Sequence, residues 1–413
     1  MKNTPAFCLL LLLWILSSCT TQPTVQLANP EAQGLSPDSL QRMVDHFHQI
    51  VDSGQLAGIQ TAIMRNDQLV HFDTYGFANL EEQIPLTDSS IFRIFSMTKP
   101  IVSVALMQLY DQGKFKLEDP LHQYIPEFKK AQAFENGGMR PANNPIRIVD
   151  LLTHTSGLSY GRGVDTTLNR YYQEARLWAS ENNKEFTRKA SLLPLQFDPG
   201  TDWQYGISVG IVGRLIEVLS GQDLDVYLQE QLFEPLGMKD THFQVPPEKV
   251  ERFTVGYRWS EEDGLYIDQD QRENRYTREV SLFNGGGGLV STTRDYLKFC
   301  QLLLNKGTFN NQEIIKPATV QLMLRDHLTE VKTKQERLRL PPGEFGFGLG
   351  FAIRGSDYQT LEPVFGWGGA VGTYFKVDLE HDLCYVMMVQ VSPYRQLGLR
   401  QLIQDYVDAA IME

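Results

Sequence analysis

The sequence has fewer basic than acidic residues and no basic stripe along any segment. Its 413 residues include 38 Lys and Arg against 50 Asp and Glu, which gives a formal net charge of -12. Nucleic-acid binding draws its affinity from clustered Lys and Arg side chains that neutralise phosphates. The composition therefore excludes nucleic acid as a partner, while the hydrophobic content of 42% is that of an ordinary folded chain.

Recognisable metal-ligand spacings are also missing from the sequence. The 8 histidines form no His-Glu-x-x-His pair or comparable motif. His46 and His48 lie in a pattern that predicts a surface helix, which is a poor place for a metal. We therefore expect no metal ion.

Charge is scarce at the N-terminus, where Lys2 precedes an apolar run over residues 9–16. The run is too short to span a bilayer comfortably, so we interpret residues 1–18 as a signal peptide. The peptide leads into a Leu-Ser-Ser-Cys sequence ending at Cys19, which resembles the lipobox of bacterial lipoproteins, and the polar residues 19–33 follow as a tether. This resemblance implies that Cys19 is acylated and anchors the protein in the bacterial cell envelope. An ordinary signal peptide with an incidental cysteine is the alternative.

Cysteine is rare, with 4 in the chain, and Cys8 would leave with the signal peptide. After lipidation of Cys19, only Cys300 and Cys384 remain, each inside an apolar segment. We predict that both are buried free thiols, although an oxidising envelope would permit a disulfide.

Hydrophobic periodicity predicts an α+β chain. An amphipathic helix pattern begins after Ser36-Pro37, and strand-like runs follow. The later pattern is mostly helical and then returns to strand before a closing helix. This order predicts one domain over residues 34–413, in which strands from both ends form an antiparallel sheet flanked by terminal helices, with a helical lobe inserted. We expect the site in the cleft between the lobes. The predicted strands cover residues 59–64, 69–75, 345–353, 372–377 and 383–391, the helical lobe residues 96–237, and the closing helix residues 399–412.

A serine and a lysine stand three residues apart at the start of a predicted helix, in Ser96-Met97-Thr98-Lys99. Because proline is tolerated only in the first helical turn, Pro100 requires the helix to begin close to Ser96, near free backbone N–H groups. The spacing puts Lys99 on the same helix face, where its amine could activate the Ser96 hydroxyl once burial removes its proton. Alone, Ser-x-x-Lys is a weak signal that chance supplies.

Two later segments could complete such a site. Tyr205 follows a Pro-Gly turn, and a phenol in a polarised pocket can share the proton relay that starts at the serine. The glycine-rich residues 365–372 lie between two strands, and the Ala370 N–H could join the Ser96 N–H as an oxyanion hole. The alternatives are a buried structural tyrosine and a tight hairpin.

The motif formed by Ser96 and Lys99, then Tyr205, then Trp367-Gly368-Gly369, resembles the three motifs of the serine beta-lactamase and penicillin-binding-protein superfamily. The likeness is closest to the class C beta-lactamase-like branch that includes the family VIII carboxylesterases, and it extends over residues 34–413. Further segments typical of that branch are residues 92–94, 117–120, 151–158 and 285–292.

The resemblance implies a beta-lactamase/transpeptidase-like fold and a serine hydrolase that works through an acyl-enzyme. In it, Ser96 is the acylated nucleophile, Lys99 and Tyr205 form the general-base relay, and the Ser96 and Ala370 N–H groups hold the oxyanion. Trp367, Gly368 and Gly369 line the substrate side of this hole. No metal or organic cofactor is implied.

Two departures from the family pattern bear on the substrate. True beta-lactamases have Tyr-x-Asn, but Ile207 stands where the asparagine would be. They also have Lys-Thr-Gly, whereas Trp367 and Gly368 supply neither the cation nor the hydroxyl that would bind a carboxylate. Both changes favour uncharged esters over a beta-lactam or a D-Ala peptide, and we expect the partner to be a small-molecule ester or amide. The alternatives are a beta-lactamase or D-Ala carboxypeptidase acting on cell-wall substrates, an acyltransferase, and a non-catalytic envelope binding lipoprotein.

Two other residues could be mistaken for catalytic groups. Ser208 lies in a Gly-x-Ser-x-Gly sequence, but a nucleophile elbow must follow a buried strand, and here a Pro-Gly turn and polar residues precede it. A serine at a helix start explains the pattern equally well. His154 lies in a Thr-His-Thr-Ser-Gly turn, where we interpret it as a structural hydrogen-bonding residue.

Overall fold

The protein is described here by a computed structural model that covers residues 26–269, 275–328, 346–354 and 364–412. Within these residues, eight strands form one antiparallel sheet in the order β4-β5-β6-β7-β8-β1-β2-β3. They are β1 Gly58–Arg65, β2 Gln68–Asn79, β3 Ile84–Pro85, β4 Gly346–Phe347, β5 Ala352–Arg354, β6 Val364–Gly368, β7 Tyr374–Asp378 and β8 Leu383–Met388.

Strands from the two ends of the chain meet in the middle of this sheet, as the periodicity predicts. β1 pairs with β8 in a register that sets Gln60 opposite Met388. β1 also pairs with β2 through a tight turn at Asn66 and Asp67, which both have positive φ angles of 52° and 58°. Asn and Asp tolerate this left-handed conformation, which matches the twist of a hairpin.

The terminal helices pack together on one face of the sheet. Helix α1 starts at Pro37, and the Ser36 hydroxyl caps it by accepting a hydrogen bond from the Ser39 N–H. Its buried residues Met43 and Phe47 join the last helix and the strands in one apolar cluster. This arrangement confirms the predicted sheet with flanking terminal helices.

The helical lobe lies between β3 and β4 in the chain and covers the other face of the sheet. Its helix α2 is almost completely buried, and the lobe and this face of the sheet share one continuous core. The lobe is less purely helical than predicted, because a hairpin of Gln132–Glu135 and Gly138–Pro141 interrupts it. The helices are α1 Pro37–Asp52, α2 Thr98–Asp111, α3 Ile148–Leu152, α4 Thr166–Glu174, α5 Asn183–Ala190, α6 Ser208–Ser220, α7 Leu224–Leu228, α8 Glu234–Leu236, α9 Thr293–Leu304, α10 Pro317–Met323 and α11 Leu399–Asp408.

Short strand pairs complete the described part of the chain. They join segments that lie outside the main sheet. Beyond the hairpin of the lobe, these strands are Phe92–Arg93 with Val290–Ser291, Thr308–Phe309 with Gln312–Glu313, and Tyr257–Ser260 with Gly264–Ile267 and Val391–Ser392.

The predicted signal peptide and Cys19 lie outside the described residues. Among the residues that are described, no helix is both long and apolar enough to cross a membrane. Cys300 on α9 and Cys384 on β8 are both buried and both free, so the prediction of two buried thiols is confirmed.

Candidate active site

The segment that carries Ser96 is a single tight turn before α2. Phe95–Met97 forms a 3-10 turn, and α2 begins at Thr98 with Pro100 in its first helical turn, as the sequence predicts. Phe95 has a φ of 43°, a left-handed conformation that costs a non-glycine residue about 1–2 kcal/mol. Surrounding contacts hold this strained turn, including a hydrogen bond of 2.9 Å from the Tyr296 hydroxyl to the Met97 carbonyl.

Lys99 is completely enclosed, and its ammonium group is surrounded by oxygen atoms. Its Nζ donates to the Ser96 hydroxyl at 3.3 Å, to the Tyr160 hydroxyl at 3.0 Å and to the Gly286 carbonyl at 2.6 Å. The Tyr205 hydroxyl is a further hydrogen-bonding neighbour. The side chain is 1% exposed, so these protein oxygens replace water around the charge.

Tyr205 reaches the same point from the loop before α6. Its hydroxyl receives hydrogen bonds from Ser96 and Lys99 and one of 3.4 Å from the Trp367 indole N–H. The rings of His154 and Tyr160 pack against the Tyr205 ring, with centroids at 4.8 Å and 5.5 Å. The structure thus brings Ser96, Lys99 and Tyr205 together from separate parts of the lobe.

The surroundings of Lys99 and Tyr205 shift the pKa values of both groups. Burial raises the pKa of Tyr205, but the Lys99 ammonium and the three hydrogen bonds outweigh it, so the net shift is downward. Burial lowers the pKa of Lys99, but Tyr160 and Tyr205 outweigh it, so the net shift is upward. The expectation that burial would remove the proton from Lys99 is therefore not met. The pair favours an ammonium on Lys99 beside a Tyr205 phenol that ionises readily.

The glycine-rich segment lies beside the turn that carries Ser96. β6 ends at Gly368. A Cβ at Gly369 would lie 2.6 Å from the Ile94 carbonyl oxygen, so the backbone of the glycine-rich segment packs directly against the backbone before Ser96. Ala370 follows at an exposed position, and its N–H has no acceptor among the described residues. Trp367 is buried against the rings of Tyr205 and Phe347. This geometry leaves the Ala370 N–H available for a substrate oxygen.

Two groups that hold Lys99 were missed by the sequence analysis. No motif marks Tyr160, which follows the Thr-His-Thr-Ser-Gly turn by three residues. Gly286 lies in residues 285–292, which the resemblance included without assigning a role. Ile207 is buried at 2% exposure, and the Tyr160 hydroxyl on the facing loop supplies one of the polar contacts to Lys99.

The two residues set aside on sequence grounds have structural partners. Ser208 is the first residue of α6, is fully buried, and shares a hydrogen bond of 2.8 Å with the Ser156 hydroxyl. His154 is buried, and burial followed by the Lys99 charge lowers its pKa well below the usual value. Its Nδ1 accepts a hydrogen bond from the Gly206 N–H at 3.4 Å, which ties the two loops together.

Groups of acidic, cysteine and histidine side chains suited to a metal ion are absent from the described ranges. The site presents hydroxyl, ammonium and backbone N–H groups. These can form a nucleophile, a base and an anion hole, the parts that acyl transfer to a serine requires.

Comparisons with known proteins identify the family of this chain. Residues 43–406 match the family model described as Beta-lactamase. Esterase EstB of Burkholderia gladioli is 32% identical over 391 residues, which cover 89% of this chain and 95% of EstB. Lovastatin esterase of Penicillium rubens is 29% identical over 383 residues, which cover 83% and 91% of the two chains. The unliganded structure of Simvastatin Synthase (LovD) from Aspergillus terreus, as its selenomethionyl derivative, superposes with a TM-score of 0.77 at 24% identity. The match covers 91% of this chain and 98% of LovD, and it shows a shared fold.

Proposed function

The chain belongs to the beta-lactamase family of serine hydrolases, and we propose that it cleaves small, uncharged carboxylic esters through an acyl-enzyme on Ser96. One observation carries the proposal: the Ser96 hydroxyl contacts both the Lys99 ammonium and the Tyr205 hydroxyl. A serine needs such a base within hydrogen-bond reach, because its own hydroxyl is a weak nucleophile at neutral pH.

The acylation step begins with Tyr205 in its ionised form. The Tyr205 oxygen takes the proton of the Ser96 hydroxyl as Oγ attacks the carbonyl carbon of the ester. The carbonyl oxygen becomes an oxyanion that accepts hydrogen bonds from the N–H groups of Ser96 and Ala370. Tyr205 then gives its proton to the leaving alkoxide as the carbon–oxygen bond of the ester breaks. Lys99 keeps its proton, and its ammonium stabilises negative charge on the Tyr205 oxygen and on the Ser96 oxygen as the proton moves between them.

Deacylation repeats the sequence with water. Tyr205 accepts a proton from a water molecule that attacks the acyl carbon, and returns it to the Ser96 Oγ as the acid product leaves. The products are the carboxylic acid and the alcohol of the ester. Burial of Lys99 strengthens its electrostatic contribution, since no water screens the ammonium.

The walls of the site support esters over charged substrates. Trp367 stands where beta-lactamases carry the lysine that holds a substrate carboxylate, and its indole packs on Tyr205 and Phe347. Ile207 replaces the polar asparagine and is buried in the core. The names of EstB and of the lovastatin esterase, both esterases, agree with this preference.

The proposal can be tested on a soluble form that lacks residues 1–19. It should hydrolyse short-chain nitrophenyl esters and be labelled by a fluorophosphonate at Ser96. We expect Ser96→Ala to lower turnover at least about a thousandfold and to abolish labelling. Ser208→Ala is the matched control and should remain active. Undiminished ester turnover in Ser96→Ala would refute the proposal.

A second candidate activity, acyl transfer to an alcohol, uses the same acyl-enzyme. Relatives of this chain include a protein named Acyltransferase calJ from Penicillium decumbens, 28% identical over 352 residues. Water and an alcohol compete for the same acyl carbon, so an added alcohol should divert product from acid to new ester. Rapid hydrolysis of nitrocefin with inert esters would instead favour a beta-lactamase.

We also propose that the protein is lipid-anchored in the bacterial cell envelope. The support is the sequence of residues 1–18, the cysteine at position 19 and the polar tether over residues 19–33 that precedes the hydrolase domain of residues 34–413. Cells fed a labelled fatty acid should incorporate label into the full-length chain, and Cys19→Ser should abolish incorporation. Equal labelling of both forms would rule out acylation at Cys19.

A further inference from the structure

Arg400, on the C-terminal helix α11, lies directly beneath the glycine-rich turn. Its Nη2 donates to the Gly369 carbonyl at 2.5 Å and to the Thr373 carbonyl at 3.1 Å. A Cβ built on Gly368 would lie 2.3 Å from the guanidinium carbon, so Arg400 fills the space that any side chain at position 368 would need. The guanidinium therefore braces this end of β6 from the side of the sheet that faces α11.

The charge of Arg400 has no acidic partner among the described residues. Its other close neighbours are aromatic: the guanidinium carbon lies 4.1 Å from the ring centroid of Tyr394 and 5.3 Å from that of Tyr374. Burial lowers the pKa of Arg400, yet an arginine stays protonated at neutral pH. The charge of Arg400 also interacts favourably with Tyr205.

The geometry of the peptide bond links Arg400 to the reaction. In a trans peptide, the carbonyl of Gly369 and the N–H of Ala370 point in opposite directions. Because Arg400 holds the carbonyl, the N–H must point away from α11. A Cβ built on Gly369 would lie 2.6 Å from the carbonyl oxygen of Ile94, two residues before Ser96, so the glycine-rich turn lies against the segment that carries the nucleophile.

We propose that Arg400 is a positioning residue for the oxyanion hole: by holding the Gly369 carbonyl, it aims the Ala370 N–H at the oxyanion on Ser96. The inference rests on the proposed acyl-enzyme function and adds a residue that no catalytic motif contains. The simpler role for Arg400 would be to dock α11 on the sheet. The two roles differ in what removal of the side chain does to catalysis in a folded protein.

The experiment compares Arg400→Met, Arg400→Lys and the control Arg354→Met. Arg354 also contacts α11, through Asp408 at 3.5 Å, but does not touch the glycine-rich turn. For each variant, the kcat and KM for a neutral nitrophenyl ester, the rate of fluorophosphonate labelling and the affinity for a boronic acid are measured. The boronic acid forms a tetrahedral, anionic adduct on Ser96 that mimics the oxyanion.

Arg400→Met should lower kcat, the labelling rate and the boronic-acid affinity together, each by about tenfold to a hundredfold, while KM changes less than about threefold. This loss is smaller than removal of the donor itself, because the Ala370 N–H is still present. Arg400→Lys keeps one charged donor and should lose less. Arg354→Met should match the wild type in all four measurements.

The outcomes separate this inference from the proposed function. If the wild type turns over esters and Ser96→Ala does not, the proposed function stands, whatever the Arg400 variants do. The inference is wrong if folded Arg400→Met, or folded Arg400→Lys where the Met variant fails to fold, keeps wild-type kcat and boronic-acid affinity. It is also wrong if the loss appears only in KM, since that result makes Arg400 a residue for ground-state substrate binding.

Discussion

Gly206 lies where two loops that carry the tyrosines of the site press against each other. A Cβ added at Gly206 would lie 2.1 Å from the Leu158 carbonyl oxygen and 2.9 Å from the Ser159 Cα. Real Cβ atoms essentially never approach within 3.0 Å of such atoms, so the loops would have to separate by about 1 Å. Gly206→Ala should therefore move Tyr205 away from Tyr160 and from the Lys99 ammonium, which both hydroxyls contact.

The expected loss of activity follows from that displacement. A misplacement of about 1 Å in a reacting group can cost roughly a hundredfold in rate. Overpacking of this kind also costs about 1–3 kcal/mol of folding free energy. We expect Gly206→Ala to fold, to lose about a hundredfold in kcat for a nitrophenyl ester, and to label more slowly with a fluorophosphonate by a similar factor.

The matched control is Gly58→Ala, at the start of β1. A Cβ there would meet the Tyr75 carbonyl and the Phe77 N–H nitrogen, both at 2.9 Å, so the substitution also forces backbone apart, but among residues outside the site. Urea unfolding should report a comparable loss of stability in both variants, with kcat reduced only in Gly206→Ala. A folded Gly206→Ala with kcat within about threefold of wild type would refute the steric argument.

Three further results are expected. Tyr160→Phe removes a hydrogen-bond acceptor from the buried Lys99 ammonium, and a hydrogen bond to a charged group is worth about 1.5–3 kcal/mol. The pKa of Lys99 should therefore fall, and with it the basic limb of the kcat/KM profile, by about one to two pH units. An unmoved limb would mean that Lys99 does not set it. Burial lowers the pKa of His71 from 6.5 to about 4. Between these values the unfolded chain binds a proton that the folded protein does not, so the folded protein is fully stable above pH 6.5 and loses stability as the pH falls towards 4. Unfolding free energy should drop there by about 3 kcal/mol, and His71→Gln should flatten that drop in urea titrations at several pH values. In a form that lacks residues 1–19, a thiol reagent should find no reactive cysteine in the folded protein and two after denaturation, Cys300 and Cys384; one or none after denaturation would contradict two free thiols.

Features governed by local rules could be predicted from the sequence. Pro100 limits where α2 can start, so the position of Ser96 at the helix entrance follows from the proline alone. The alternating and helical patterns at the two ends of the chain predict strands that share a sheet, and β1 does pair with β8. These inferences need no knowledge of which loops approach each other.

Features that depend on contacts between distant segments could not be predicted. Arg400 reaches the Gly369 carbonyl across 31 positions, and an arginine on an amphipathic helix has no pattern that marks such a contact. The sequence predicts the wrong direction for the pKa of Lys99 for the same reason. Burial alone lowers the pKa of a lysine, but the sequence does not show that the hydroxyls of Tyr160 and Tyr205 surround it.

Ile207 stands where the family motif has an asparagine, and the structure shows how the site is completed without that residue. From the sequence, the missing asparagine is a lost polar contact. In the structure, the Tyr160 hydroxyl accepts from Lys99 at 3.0 Å and also engages Tyr205, so the lysine is fully satisfied without an asparagine. An asparagine would still have a free amide to bind a substrate, whereas this phenol has both of its hydrogen-bonding roles occupied. The replacement therefore keeps the base assembled while removing a partner for a substrate amide, which is the difference expected between an esterase and a beta-lactamase.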